Sequence, residues 1–450
     1  MKLLAQLHSR LGDLWWYTIL LFVAQRLGDL INMFVGLWLV PKYVPQQDLG
    51  AVLPLAQAVS LIGLPLGVLA IPFMKFLNVY AEKGEYGKVK SLLRDVFLGT
   101  AALALVTLLL AWLVLPFFFE RVRVAAGSLG FLIVLGSVLS AVATIFGNAV
   151  QGLKLYQATV WFNLLGAPFR LAVMVITMPI RALSGYFAGQ CAAPGTSILG
   201  AVWVLRKRLG RAVKSVPYWH EDGAAMIRYT LPIAVWTVVG TVSGAIESLV
   251  IRHRLSDFES AGYYMITRFT DIASYFGTTF IVFLFPMVAG LAAKSAESKR
   301  VLLHSVGGTV VGGLAVGGLL ALGGRWILSL QSLWSAYAPL AGMMFPICVL
   351  NVLMLACGCF VTYEMAQGRF RFFWYAVPIV LVKCAFLYAV TGIDFFRGVL
   401  PEEMISAVES RHPCRLSFVI AVLAVGQLSL LAGFAADVLG KKGRQGDCGT

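Results

Sequence analysis

The stretch that decides the fold class is AALALVTLLLAWLV, Ala101–Val114, which contains no charged residue and continues into Phe117, Phe118 and Phe119. A helix needs about 20 mainly apolar residues to cross roughly 30 Å of hydrocarbon. In lipid there is no water to bond the backbone N–H and C=O groups, so a segment must satisfy them internally, as a helix does. This stretch therefore predicts a membrane-spanning helix.

The composition of the whole chain supports the same conclusion. Of its 450 residues, 59% are hydrophobic and 13% are charged, and the mean hydropathy is +0.84. A soluble domain carries about 25% charged residues, so this chain has too few to cover a water-exposed surface. The composition therefore favours a protein that exposes most of its surface to lipid.

Apolar windows recur along the chain and predict an all-α membrane protein with about twelve transmembrane helices. The expected spans are residues 14–40, 49–73, 96–119, 125–150, 157–180, 184–205, 229–251, 261–291, 302–322, 334–363, 372–391 and 416–438. The first residues, MKLLAQLHSRLGDLWW, lack a compact apolar core followed by a small-residue cleavage site. We expect them to form a short amphipathic lead-in and not a signal peptide.

The distribution of Lys and Arg predicts the orientation. With both termini in the cytoplasm, 22 basic residues fall on the inner side and 10 on the outer side. Cytoplasmic loops of membrane proteins carry the excess of Lys and Arg, so this orientation is favoured, and the expected location is the cytoplasmic (inner) membrane. The formal charge of +15 does not indicate a nucleic-acid partner, because the basic residues lie in short clusters between spans and form no separate domain.

The seven cysteines do not suggest a metal site. Cys357 and Cys359 form the only close pair, and no matching Cys or His pair occurs elsewhere in the sequence. We expect the cysteines to pack in apolar segments. No cofactor is expected, since the glycines of the ninth span are not followed by Lys-Ser or Lys-Thr, as a nucleotide-binding loop requires. Small-residue packing or helix bending explains them better.

An internal repeat divides the chain into an N-terminal six-helix bundle (residues 1–205), a cytoplasmic linker (206–228) and a C-terminal six-helix bundle (229–450). Similar stretches recur at an offset of about 212 to 216 residues. The clearest is Gln151-Gly152 before Lys154 and Tyr156, which matches Gln367-Gly368 before Arg369 and Phe370. Two halves with the same topology predict a central cavity between them.

Several motifs resemble those of polysaccharide flippases in the multidrug/oligosaccharidyl-lipid/polysaccharide (MOP) superfamily. The loop Leu37–Gly50, LWLVPKYVPQQDLG, looks like the loop after the first helix of these flippases. Similar features are Tyr229–Pro232, Ala261–Tyr264 followed by Arg268, and Phe285-Pro286. The resemblance covers nearly the whole chain. It implies transport of a lipid-linked (isoprenoid diphosphate) oligosaccharide for surface polysaccharide biosynthesis, beside other polysaccharide-assembly proteins.

Seven ionisable residues fall inside the predicted spans. A charge in mid-span costs about 2.5–3.5 kcal/mol on insertion scales and usually faces a cavity or a partner. The bases are Arg26, Arg170, Arg268 and Lys383, and the acids are Asp29, Glu247 and Asp271. Arg26 with Asp29, and Arg268 with Asp271, are three residues apart and so share a helix face. If these two pairs neutralise themselves, a mildly basic chamber remains.

A basic chamber suits an anionic substrate, because Arg binds phosphate with a planar fork and Lys with a point charge. We therefore predict that the four bases contact the diphosphate of the substrate. Gln25, Asn32, Gln57, Asn163, Asn351 and Gln427 could bind sugars, although such residues more often link helices. A proton or sodium gradient is one candidate driving force, with Asp29, Glu247 or Asp271 as the titrating residue. Consumption of substrate outside the cell is the other.

Two alternative functions remain open from the sequence. One is cation-coupled multidrug export of the MATE (multidrug and toxin extrusion) type, for which a net acidic chamber is expected. The other is a membrane-embedded enzyme, with the acids of the predicted outer loop Asp394–Arg415 as the residues to examine. Scattered acids on a solvated loop are weak support for catalysis, so we expect that the chain is not an enzyme.

Overall fold

The computed structural model describes residue 20 and residues 22–125, 127–153, 155–209, 214–290, 295–390 and 415–439. In these residues the regular structure is helical, with no strand. The long helices, labelled in chain order, are α1 Phe22–Tyr43, α2 Val52–Ile62, α3 Ala70–Glu82, α4 Tyr86–Val122, α5 Gly127–Gly152, α6 Tyr156–Leu209, α7 Trp219–Arg254, α8 Asp257–Gly290, α9 Ser295–Ser329, α10 Met344–Ala366, α11 Phe373–Val390 and α12 Arg415–Leu439.

The all-α multi-pass architecture predicted from the sequence is confirmed. Nine helical segments in the described part of the chain are long and apolar enough to cross a membrane, with α3 counted as Leu64–Glu82 and α10 as Ala338–Ala366. One of them, α6, consists of two helices joined where Arg181 and Ala182 leave helical geometry, so it supplies two predicted spans, 157–180 and 184–205. Helix α8 and the shorter apolar helix α11 complete the predicted set.

Two predicted spans have the wrong bounds. The span 49–73 is not one helix, since α2 ends at Ile62, a short turn Leu64–Gly67 follows, and α3 continues to Glu82. Pro65, in the first turn of this short segment, explains the break, because proline lacks the N–H that a continuous helix would bond to the preceding turn. The span 334–363 begins later than predicted, since the 3₁₀ turn Ala338–Met343, with a proline in its first turn, precedes α10.

The chain divides into two compact units. Unit 1 contains Met1–Pro45 and Pro54–Thr241, and unit 2 contains Gln46–Leu53 and Val242–Thr450. The boundary near the middle of the chain therefore falls within α7 and not in the polar segment before it. The short segment Gln46–Leu53 belongs by its contacts to unit 2, although it lies between α1 and α2 in sequence.

Unit 1 is built around the two arms of α6, which pack on each other and on α5. Glycines allow the arms to approach closely. A Cβ on Gly189 would lie 2.2 Å from Met174 Cγ, and one on Gly200 would lie 2.4 Å from Phe162 Cε1. Such small-residue contacts are how membrane helices gain packing, since lipid provides no hydrophobic drive between helices.

The polar segment before α7 is fixed to unit 1. Val216 N donates to Gly87 O (3.2 Å), and Ser91 Oγ donates to Val216 O (2.7 Å) and lies 2.7 Å from Ser215 Oγ. Tyr218 is buried in the apolar cluster formed with α3, α4, α5 and α6. We call Lys214–Tyr218 the strap. The predicted linker 206–228 thus contains an ordered segment, whereas residues 210–213 lie outside the described part.

Two acids at the start of α7 continue this attachment. Lys88 Nζ lies 2.5 Å from Glu221 and 3.7 Å from Asp222, and Tyr80 Oη donates to Asp222 (2.8 Å). Burial, reinforced by the carboxylate of Asp95, raises the pKa of Tyr218 to about 12, so its hydroxyl stays protonated at physiological pH. The strap therefore joins unit 1 through both backbone and side-chain bonds.

Unit 2 packs α8, α9 and α10 together, and the glycines of α9 lie at these contacts. A Cβ on Gly308 would meet Phe280 at 2.6 Å, one on Gly313 would meet Val352 at 2.3 Å, and one on Gly317 would meet Cys348 at 2.8 Å. The packing explanation predicted for the glycine-rich ninth span is confirmed at these positions.

The segment Gln46–Leu53 is attached to unit 2 by one buried arginine. Arg252 donates through Nη1 to Asp257 (2.7 Å) and through Nη2 to the carbonyl oxygen of Gln47 (2.7 Å). A Cβ on Gly50 would lie 2.0 Å from Ser260 Oγ, so only glycine fits this contact. The segment before α2 and the start of α8 are therefore in direct contact within unit 2.

The two Gln-Gly sequences of the repeat both lie at helix ends, but their glycines serve different purposes. Gly152 ends α5 next to α3, where a Cβ would lie 2.8 Å from Leu77 Cδ2. Gly368 follows α10 with φ of +67°, a left-handed conformation that glycine adopts readily. The placement at helix ends matches the prediction, and the local chemistry differs between the two halves.

Candidate transport site

The seven ionisable residues predicted inside the spans are divided between the units. Arg26 and Asp29 on α1 and Arg170 on α6 belong to unit 1. Glu247 on α7, Arg268 and Asp271 on α8, and Lys383 on α11 belong to unit 2. Two groups of charges therefore have to be considered separately.

Unit 1 contains a cavity of about 210 Å³ between α1 and both arms of α6. Its polar lining comes from Gln25, Asp29 and Asn32 on α1 and from Arg170 and Ser197 on α6. The rest of the lining is mostly Ala and Gly, among them Gly28 on α1 and Ala167 on α6. The cavity is smaller than most drug-sized pockets, which have about 300–1,000 Å³. It suits a small polar or charged group.

Asp29 in this cavity is ion-paired with Arg26 of the same helix. Arg26 Nη1 lies 2.9 Å from Asp29 Oδ2, and both side chains are about one-fifth exposed, at 22% and 19%. The predicted pair one helical turn apart is therefore formed. The guanidinium of Arg26 also lies 5.2 Å from the centre of the Phe22 ring, a cation–π distance.

Arg170 reaches the same cavity from the first arm of α6. Its Nη1 donates to Gln190 Oε1 (3.4 Å) on the second arm, and Gln190 Nε2 in turn donates to Tyr186 Oη (2.8 Å). This polar chain orients the guanidinium between the two arms. Gln190, Tyr186 and Ser197 were not among the predicted residues. Tyr186, Gln190 and Ser197 lie at positions i, i+4 and i+11 of the second arm. This spacing places them on one helix face and is the signal that could have indicated them.

In unit 2, Lys383 and Glu247 form a buried ion pair between α11 and α7. Lys383 is only 4% exposed and Glu247 17% exposed. Ser243 Oγ donates to the same carboxylate (2.8 Å), and Cys384 Sγ donates to Ser243 Oγ (3.4 Å). The stem of Lys383 lies on Gly426 of α12, where a Cβ would be 2.5 Å from Lys383 Cδ.

The second charge pair of unit 2 lies on α8. Arg268 Nη1 is 3.0 Å from Asp271 Oδ2, so this predicted pair is also formed, and Arg268 lies 5.3 Å from the centre of the Tyr264 ring. The four charges of unit 2 predicted inside the spans therefore form two ion pairs, Arg268 with Asp271 within α8 and Lys383 with Glu247 between α11 and α7.

The ion pairs show how the charges predicted from the sequence are partnered, and they leave the net charge of these residues unchanged. All three acids, Asp29, Asp271 and Glu247, are partners of a base in the structure. Lys383, which the sequence reading counted toward a basic chamber, neutralises Glu247. Arg170 is the fourth base, so the formal sum is +1 for the groups of unit 1 and zero for those of unit 2.

The uncharged polar residues predicted to bind sugars or to link helices lie in different environments. Gln25 and Asn32 line the unit 1 cavity, whereas Asn351 Nδ2 donates to Thr270 Oγ1 (3.1 Å) and links α10 to α8. The side chain of Asn163 and the loop Asp394–Arg415 lie outside the described residues. Five cysteines are buried and free, and the described residues contain no His, Cys, Asp and Glu cluster suited to a metal.

Together, the helices and charge clusters define a multi-pass α-helical membrane protein with ionisable side chains inside its spans. No protein-family model matches the sequence, and no curated protein is significantly similar to it. Solved structures are similar over nearly the full length.

Three of these structures show the range of proteins with this fold. The MATE multidrug transporter DinF-BH, solved in complex with a ligand, is 14% identical, covers 94% of both chains and gives a TM-score of 0.64. A point mutant of the Vibrio cholerae MATE transporter VcmN is 12% identical, with coverage of 98% of this chain and 99% of that one and a TM-score of 0.63. The lipid II flippase MurJ is 11% identical, with coverage of 94% and 87% and a TM-score of 0.61.

The chain therefore has the fold of MOP superfamily transporters, shared by MATE proteins and MurJ. At these identities the likeness shows the fold. The substrate has to be argued from the side chains of this chain.

Proposed function

We propose that this protein is a transporter that moves a lipid-linked (isoprenoid diphosphate) oligosaccharide across the cytoplasmic membrane by alternating access. The supporting observation is the charge balance inside the spans: each of the three acids is held by a base, and Arg170 adds a fourth base at a polar cavity. Arg binds phosphate oxygens with two parallel hydrogen bonds, which suits a diphosphate. The fold neighbours are transporters, which supports transport over catalysis.

The size of the unit 1 cavity restricts what it can bind. About 210 Å³ accommodates a phosphate group or a single polar group, and not an oligosaccharide. The proposal therefore assigns to Arg170 a contact with the charged head group. Sugars and the isoprenoid chain must be accommodated elsewhere, the chain in the bilayer itself.

The test is leaflet-resolved accumulation of undecaprenyl-diphosphate-linked glycan in cells with and without this protein. We expect its loss to hold the glycolipid on the cytoplasmic face, and Arg170→Gln to slow its appearance outside. A hydrogen bond to a charged group contributes about 1.5–3 kcal/mol, so the rate should fall about 10- to 150-fold. Arg170→Lys should retain part of the rate. Lys207→Gln, which removes an exposed charge, is the matched control.

Normal flipping by Arg170→Gln at native expression, with no redundant flippase present, would contradict the assignment of Arg170. Normal flipping without the protein would contradict the function itself. If the flipping rate persists after the proton and sodium gradients are collapsed, the hypothesis of ion coupling through Asp29, Glu247 or Asp271 is contradicted. Direction would then come from consumption of the product outside.

Cation-coupled multidrug export is the second candidate, because two of the three fold neighbours described are MATE transporters. It predicts that cells expressing the protein become less sensitive to cationic dyes. It also predicts that Asp29→Asn abolishes this protection, since Asp29 is the acid that lines the unit 1 cavity. A clear, Asp29-dependent change in dye sensitivity would favour export over glycolipid flipping.

A further inference from the structure

Two exposed cations occur at one end of unit 1, where α3 runs beside α7. Lys75 Nζ on α3 lies 3.4 Å from the centre of the Tyr229 ring on α7, and Arg228 is the residue next to that tyrosine. The two helices are held together there by the edge-on contact of Phe76 with Tyr229 (6.3 Å between ring centres). We call Lys75, Arg228 and Tyr229 the α3–α7 basic site.

The charges of this site are not neutralised by protein carboxylates. Neither Lys75 nor Arg228 has an ion-pair partner among the described residues. The nearest acids of α7 are already engaged, since Asp222 accepts from Tyr80 (2.8 Å) and Glu221 bonds Lys88 (2.5 Å). The site therefore presents two positive charges that an external anion can satisfy.

An apolar stripe continues from the site along α7. Leu231, Val235 and Val238 follow Arg228 at i+3, i+7 and i+10, which is one helix face, and all three are exposed. Ile227 beside them is also exposed. Apolar side chains exposed along a spanning helix face acyl chains. The cations then lie at the head-group level, with an aromatic ring of the kind enriched at membrane interfaces.

We propose that the α3–α7 basic site binds the phosphate of an anionic membrane phospholipid. Lys75 and Arg228 hold the head group, the Tyr229 ring positions Lys75, and the acyl chains lie along the α7 stripe. Charge complementarity selects an anionic lipid over a zwitterionic one, because the ammonium of a zwitterionic head group would face the same two cations. This site is independent of the function proposed for Arg170.

The proposal can be tested by titrating the purified full-length chain with phosphatidylglycerol and, in parallel, phosphatidylcholine, with native mass spectrometry to obtain Kd. A basic residue near an anionic head group contributes about 1 kcal/mol, or about a 5-fold change in Kd. We expect Lys75→Gln and Arg228→Gln each to weaken phosphatidylglycerol binding about 5-fold, and the double variant about 30-fold. The Kd for phosphatidylcholine should not change.

Lys83→Gln/Lys207→Gln is the matched control, because it removes the same charge from two exposed lysines at the ends of α3 and α6. It should bind phosphatidylglycerol like the native chain, and the charge-preserving Lys75→Arg/Arg228→Lys should do the same. Native-like binding by the Lys75→Gln/Arg228→Gln variant, or an equal loss in the control, would overturn the proposal. So would displacement of the lipid by inorganic diphosphate at equal concentration, which would indicate a site for a soluble anion.

Discussion

Lys383 and Glu247 show how an intramembrane charge can be retained for structural reasons. The pair is buried between α11 and α7, and Ser243 donates a further hydrogen bond to the carboxylate. A charge left alone at this depth must either be neutralised or draw in water, both at a cost in free energy. Removal of either partner would leave the other charge buried, so the pair links α11 to the unit 2 part of α7.

Lys383→Met should destabilise the protein, because it leaves Glu247 buried without its cation. Loss of one partner of a buried pair costs about 3–5 kcal/mol, so the free energy of unfolding in detergent should fall by about that amount. The double variant Glu247→Gln/Lys383→Met should recover part of it. Arg94→Gln, which breaks an exposed pair with Asp95, should cost less than about 1 kcal/mol. Equal losses for Lys383→Met and Arg94→Gln would contradict this role.

Gly426→Ala tests how closely the side chain of Lys383 packs on α12. The new Cβ would lie 2.5 Å from Lys383 Cδ and 2.6 Å from its Cγ, and the ion pair to Glu247 restricts the stem from moving away. Overpacking of this kind costs about 1–3 kcal/mol, which thermal unfolding in detergent can measure. Gly99→Ala on α4, where a Cβ meets nothing within 4 Å, is the control and should be neutral or stabilising. Unchanged stability of Gly426→Ala would show that the lysine stem can relocate.

At the scale of elements, the strap makes a predicted linker part of a folded unit. Its backbone pairs with the start of α4, and Gly87 is needed there because a Cβ would lie 2.7 Å from Val216 Cγ2. The strap therefore keeps the start of α7 in a fixed position relative to α3 and α4, all within unit 1.

If the strap remains attached during transport, a covalent link should be tolerated. Ser91 Oγ and Ser215 Oγ are 2.7 Å apart, so Ser91→Cys/Ser215→Cys should form a disulfide under mild oxidation, seen as a mobility shift that reductant reverses. Transport should continue with the disulfide formed. Inhibition that reductant relieves would show that the strap detaches during the cycle. Each single cysteine variant under the same oxidation is the control.

At the scale of the whole molecule, the orientation remains a prediction from the distribution of Lys and Arg. Lys83 follows α3 on the predicted inner side, and Ser335 lies between α9 and α10 on the predicted outer side, and both are exposed. In intact cells, an impermeant maleimide should label Ser335→Cys and not Lys83→Cys. In inside-out vesicles, it should label Lys83→Cys and not Ser335→Cys. Cys414 and Cys448 should first be changed to Ser, because the other five cysteines are buried. Labelling in the opposite pattern would invert the topology.

The number and approximate positions of the helices could be read from the chain, because lipid requires about 20 apolar residues for each span and forbids unpaired backbone groups. Arg26 with Asp29 and Arg268 with Asp271 could also be predicted as pairs, since a spacing of three residues places them on one face of the same helix. These features depend on local geometry and on the solvent, both of which are encoded over a few turns of sequence.

The remaining features depend on which helices become neighbours. The pairing of Lys383 with Glu247 joins residues 136 positions apart, and the cavity beside Arg170 requires the hairpin at Arg181–Ala182. The attachment of Gln46–Leu53 to unit 2 through Arg252 likewise follows no local pattern. Hydropathy specifies that a segment is buried in the membrane but not its neighbour, because every lipid-compatible helix offers similar apolar surface. Small residues and buried polar groups determine which helices become neighbours, and the contacts they make exist only in the packed structure.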